Sequence, residues 1–177
     1  MNRRAWGPIK QIAYVVADLD ASIERWIENF GVGPWLVYRN ATMQGHCRGA
    51  QTAVKMHVGL SYQDEVQIEL IQVISDTPSP YQDAAGRPRI GMHHIAWHAA
   101  DLDRSVADAQ ARGLRPVFEA SNGIVRVAYM ESPQEIGPLF EFIEAAPIIL
   151  DGFATGMQAS RDWDGHSEPI HVIDFEG

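Results

Sequence analysis

The strongest constraint on the fold is that the chain repeats itself. Gln11 to Ile23 (QIAYVVADLDASI) aligns without a gap with His94 to Val106 (HIAWHAADLDRSV), 83 residues on, and seven of the thirteen positions are identical. A second match sets Ile68 to Gln72 (IELIQ) against Phe140 to Glu144 (FEFIE), now 72 residues apart, so the second copy is shorter in its middle. A repeat at this spacing means two copies of one supersecondary unit that share a core.

Each matched segment reads as a strand running into a helix. Residues 9–16 alternate in polarity. Asp18, Leu19 and Asp20 then open an amphipathic helix with Leu19, Ile23, Trp26, Ile27 and Phe30 on one stripe and Gly31 as its terminator. In the second copy Leu102, Val106 and Ala109 form the stripe and Gly113 takes the terminal place. Strand-rich stretches follow both helices: 33–39, 51–60 and 65–74 in the first copy, 116–120, 124–130 and 138–144 in the second. The fold class is therefore α+β, two tandem βαβββ modules at 1–75 and 91–145. A Pro- and Gly-rich linker over 76–90 should run on the surface, and a C-terminal extension over 146–177 should hold a helix near 149–160 and then a loose end.

Composition narrows the functional classes. With 46% hydrophobic and 21% charged residues, the chain can bury a core. The net charge of −9, with no run of Lys or Arg, argues against nucleic acid and against an anionic membrane as partners. A single cysteine, Cys47, excludes an intramolecular disulfide and a multi-cysteine metal site. No stretch is long and apolar enough to span a bilayer, and the expected location is the cytoplasm. The exposed edges of two such modules suit a homodimer.

Strand parity locates the chemistry. If Ile12, Tyr14 and Val16 face the first helix, then Gln11, Ala13 and Val15 face the other side of the sheet. The same rule puts His94, Ala96 and His98, then Gln67, Glu69 and Ile71, then Leu139, Glu141 and Ile143 on that side. It places His93, next to His94, on the opposite face. A lone Glu or His on a strand is ordinarily solvated or packed. Here Gln11, Glu69, His94 and Glu141 stand at repeat-equivalent places, and a pseudo-twofold would turn all four into one shared cavity under a partly closed sheet. Two carboxylates, an imidazole and an amide oxygen suit one divalent ion per chain, Zn, Ni, Co, Mn or Fe, with room left for water or substrate.

The double βαβββ pattern resembles the vicinal oxygen chelate superfamily, the glyoxalase, bleomycin-resistance and extradiol-dioxygenase group. The motifs that carry the resemblance are IAYVVADLD before the first helix, Gly91 to Trp97 (GMHHIAW) and Gly137 to Phe142 (GPLFEF), and it covers residues 8–145. The connection from Ser79-Pro80-Tyr81 to Gly91 is most similar to methylmalonyl-CoA epimerases. The donor set Gln11, Glu69, His94 and Glu141 is similar to that of animal-type glyoxalase I. Glyoxalase I holds glutathione with an Arg and an Asn where this chain has Val15 and Val73, so the resemblance implies a substrate not linked to glutathione. The dioxygenases carry His in place of Gln11, which weakens that reading.

What the resemblance implies is proton transfer beside a carbonyl, on a small molecule with vicinal oxygens or an acyl thioester. Glu141 would be the catalytic base, and Glu69 would stay a ligand throughout. Substrate would meet His98 and an apolar wall of Val15, Ile71 and Leu139. The rival from another class is a non-catalytic binding protein of the bleomycin-resistance type, in which the metal donors are generally missing.

Overall fold

A computed structural model describes residues 5–134 and 137–176. The first module contains β1 (Gln11–Val15), α1 (Leu19–Phe30), β2 (Trp35–Cys47), β3 (Ala50–Gln63) and β4 (Val66–Val73). The second contains β5 (Gly91–Ala99), α2 (Leu102–Ala111), β6 (Arg115–Ser121), β7 (Arg126–Glu131) and β8 (Leu139–Glu144). The tail adds α3 (Pro147–Asp162) and β9 (Ile170–Asp174). Among the described residues, no helix is long and apolar enough to cross a membrane.

The repeated Asp-Leu-Asp does the same job twice. The Asp18 carboxylate accepts from the Ala21 amide and that of Asp101 from the Arg104 amide, each satisfying a donor that the first helical turn leaves free. Gly31, at φ 62°, turns the chain out of α1 in the left-handed conformation that its lack of a Cβ allows. α2 ends one residue earlier than its glycine suggests, with Arg112 as the cap and Gly113 following at φ 93°.

The sheet runs β3-β4-β1-β5-β8-β7-β6-β2, and a further β2–β3 pairing closes the ring into a barrel of eight strands, more fully closed than the sequence suggests. The register proves the pseudo-twofold. β1 lies antiparallel to β5 with Gln11 opposite Ala96 and Ala13 opposite His94, and moving each residue to its repeat partner turns one pair into the other. Likewise Gln11 beside Gln67 and Ala13 beside Glu69 become His94 beside Leu139 and Ala96 beside Glu141.

Three apolar layers follow. α1 buries Leu19 and Ile23 against Trp35, Val37, Ile68 and Leu70. α2 buries Leu102 and Ala109 against Ala128, Met130 and Phe142. Between them the barrel interior is filled by residues of the other parity, among them Ala13, Val15, Ile71, Ala96, Leu139 and Ile143. Each face of the sheet is thus apolar, and a buried polar group on the interior face requires a reason.

Three elements depart from the sequence reading. β2 and β3 are much longer than expected, because Asn40 takes a positive φ of 57° and shifts the β2–β3 register without ending the strand. The 76–90 connection is not wholly on the surface: Ser79 and Tyr81 are buried, and Tyr81 enters the barrel interior. The loose end contains β9, which lies parallel to Trp35–Arg39 on the edge of β2 that β6 leaves open.

Candidate functional site

The donors come from the four inner strands of the ring. β1 and β5 carry Gln11 and His94, and β4 and β8 carry Glu69 and Glu141. Parity turns all four inward, and Gln11, His94 and Glu141 are nearly or fully buried while Glu69 keeps partial exposure. They converge on one atom. His94 Nε2 lies 3.0 Å from Gln11 Oε1, 3.2 Å from Glu69 Oε2 and 2.9 Å from Glu141 Oε2.

The partners behind His94 decide its proton. A β-bulge in β5 at His93 brings this side chain inward, against the parity rule that sent it to the outer face. His93 Nε2 sits 2.9 Å from the Pro80 carbonyl, which can only accept, and His93 Nδ1 sits 2.9 Å from His94 Nδ1. Burial, with His94 beside it, pushes His93 down to about 3, so it is neutral and its one hydrogen is on Nε2. His93 Nδ1 must therefore accept from the Nδ1–H of His94. That leaves His94 Nε2 as the ring atom facing three oxygens.

Three acceptors around a bare nitrogen need a positive charge among them. Burial disfavours a proton on His94, but Glu141 and Glu69 outweigh it and hold the ring up at about 9. Even a proton serves one partner well, since an N–H donates along one line. The hydrogen-bonding geometry favours Gln11 Oε1, and Glu141 Oε2, at 2.9 Å, is left with an ion-pair contact and, among the described residues, no well-aligned donor. Burial pushes the Glu141 carboxyl above its ordinary range against the pull of His94.

As they stand, the donors touch each other directly, and no three His, Cys, Asp or Glu side chains among the described residues form a ready-made ion cage. The fourth donor is an amide. An ion with arms of about 2.1 Å at right angles spaces neighbouring donors about 3.0 Å apart. The 2.9–3.2 Å separations from Nε2 match that edge, and the N/O donor types suit a divalent ion. The residues fit such an ion.

The other expected residues are not part of this cluster. Val15, Ile71 and Leu139 are packed in the barrel interior, each at most 5% exposed. His98 does not join the donors: its ring meets Phe153 of α3 edge-on at 4.4 Å, its Nε2 is buried with no partner among the described residues, and burial lowers its pKa. Sequence reasoning passed over Gln67, whose Oε1 accepts from Gln11 Nε2 at 2.7 Å. It also passed over Tyr81 and Tyr129, whose hydroxyls meet at 2.8 Å beside the two histidines. The signal for Gln67 was there, because its repeat counterpart is Leu139.

The sequence profile of the Glyoxalase/Bleomycin resistance protein/Dioxygenase superfamily matches residues 10–129, from β1 through the first residues of β7. The chain belongs to this superfamily. No curated protein matches the sequence. Among solved structures, a methylmalonyl-CoA epimerase from Mycobacterium tuberculosis superposes with a TM-score of 0.55 at 19% identity, over 85% of this chain and 96% of its own. A second methylmalonyl-CoA epimerase gives 0.50 at 20% identity over 82% and 99%. A hypothetical protein from Bacillus halodurans C-125 gives 0.51 at 19% over 78% and 94%. At these identities the likeness is one of fold.

Proposed function

We propose that this chain is a divalent-metal-dependent isomerase or lyase of the epimerase and glyoxalase type, moving a proton on a carbon next to a carbonyl. The observation that carries this reading is the convergence of Gln11, Glu69 and Glu141 oxygens on His94 Nε2, with Glu141 Oε2 left without an aligned hydrogen bond among the described residues. One proton cannot satisfy that arrangement, and a divalent ion can. Gln11, Glu69, His94 and Glu141 would hold the ion, which when bound supplies Lewis acidity for a substrate with vicinal oxygens or an acyl thioester carbonyl.

The remaining work falls to the chain's own groups. Glu141 is the base: it is buried, its Oε2 meets His94 Nε2 without an aligned hydrogen bond, and burial raises its affinity for a proton. His93 and the Pro80 carbonyl hold His94 in the tautomer that presents Nε2. Val15, Ile71 and Leu139 exclude water from the reacting carbon, and His98, whose Nε2 has no partner among the described residues, is placed to contact substrate at the edge of α3. The epimerase names of the structural neighbours favour a thioester over a glutathione adduct.

Metal analysis of the purified protein should give close to one divalent ion per chain. Deuterium wash-in at the α-carbon of a 2-substituted acyl thioester should proceed with wild type and fall by about 10²–10⁴-fold in Glu141→Gln. Protein that carries no metal after growth in supplemented medium, and shows no exchange, would leave the non-catalytic binding role in its place.

A further inference from the structure

An amide ligand poses the problem that the His94 ring also poses, because only one of its two polar ends can face the cluster and the other needs a buried partner. Gln11 must aim Oε1 at the donor cluster and find a buried acceptor for its Nε2. Gln67 supplies it. Its Oε1 takes the Gln11 Nε2 hydrogen at 2.7 Å, and its own Nε2 donates to the Tyr62 hydroxyl. Gln11, Gln67 and Tyr62 are each at most 6% exposed, so water cannot easily substitute for any link.

The outer end of this relay is clamped by the C-terminal extension. Gly156 lets α3 lie against the Tyr62 ring so closely that a Cβ there would fall 2.1 Å from a ring carbon. Phe153 packs edge-on to the same ring at 5.8 Å, and Ser160 Oγ donates to the Tyr62 carbonyl at 2.8 Å. The second module solves the same problem differently: Leu139 stands in the place of Gln67, and His94, in the place of Gln11, is held by His93 and the Pro80 carbonyl.

We propose that Gln67 is a positioning residue that fixes the orientation of the Gln11 amide, and that Tyr62, held by α3, anchors Gln67. This rests on the metal-binding reading above. It gives the C-terminal extension a role in the site although it contributes no donor.

The test is a double-mutant cycle read by Co(II) titration, following the visible absorption bands and the affinity. Gln67→Leu, which copies Leu139, should weaken Co(II) binding by about 10–100-fold and change the bands. In a Gln11→Leu background the same change should cost nothing further. Gln67→Glu keeps an acceptor for Gln11 Nε2 and can accept from the Tyr62 hydroxyl, so it should restore the wild-type bands. Tyr62→Phe keeps the ring under α3 and should shift affinity in the same direction as Gln67→Leu, which keeps the test open if Gln67→Leu fails to fold. An equal loss from Gln67→Leu with and without Gln11, or unchanged bands in both Gln67→Leu and Tyr62→Phe, overturns the positioning role. Wild type that binds no Co(II) overturns the metal reading itself, and the positioning role with it.

Discussion

At the scale of single residues, most of the polar groups buried in this barrel have a partner, and two exceptions, Glu141 Oε2 and His98 Nε2, stand out. His94 is fully buried, yet both ring nitrogens are faced by polar atoms, because a bulge rotates His93 behind it and the linker delivers the Pro80 carbonyl. Parity and the repeat made the meeting of Gln11, Glu69, His94 and Glu141 legible, since inward residues at i and i+83 or i+72 come together under a twofold. They could not reveal His93, because a bulge is set by pairing with another strand and leaves no local mark. A second constraint of this kind is Gly45. A Cβ on it would lie 1.9 Å from the Glu119 carbonyl oxygen and 2.6 Å from the Ala120 Cα, both of them backbone atoms in the strand it pairs with. Gly45→Ala should therefore separate β2 from β6 and destabilise the fold by at least about 1–3 kcal/mol, at the upper end because backbone cannot turn aside. Urea denaturation reads the change. A Gly45→Ala protein with an unaltered midpoint would mean that the two strands are not held this closely.

Whole elements differ in how far the repeat announces them. The strand-helix units were legible because the same Asp-Leu-Asp cap and apolar stripe recur, and the structure places α1 and α2 on them. β9 was not legible: Ile170 to Asp174 is five residues long, exposed throughout, and becomes a strand only because β6 leaves the Trp35–Arg39 edge unpaired. The helix of the extension was readable from its spacing, but its docking was not, since that depends on Gly156 meeting Tyr62. At an exposed helix position Gly→Ala gains about 1 kcal/mol of helix propensity. Here the expected sign is reversed: Gly156→Ala drives a methyl into the Tyr62 ring and should lower the melting temperature. Limited proteolysis should cut the variant between Glu144 and Pro147 sooner than wild type. If Gly156→Ala is the more stable protein, α3 does not sit on Tyr62 as described.

For the whole molecule, the pairing of the two modules is what assembles the candidate site. Gln11 and Glu69 belong to the first module and His94 and Glu141 to the second, and they meet because β1 and β5 pair across the pseudo-twofold. Neither module alone presents more than two of the donors. An ion bound by all four would thus be a cross-link between the modules, acting on global stability as well as on chemistry. Mass action sets the size of the effect: an ion at a hundred times its Kd adds about 2.7 kcal/mol to the folded state. For a chain of this length each kcal/mol is worth roughly 2–4 °C in Tm, so loading should raise Tm by roughly 5–10 °C and a chelator should remove the gain. Calorimetry should show one transition that moves as a unit, because the modules share β1–β5 and β2–β6 pairings and a single interior. Glu69→Gln in the first module and Glu141→Gln in the second should each erase most of the metal-dependent rise, as a site assembled from both halves requires. Were only one of them to do so, or were two transitions to separate on chelation, the ion would be held by one module and the shared site would be wrong.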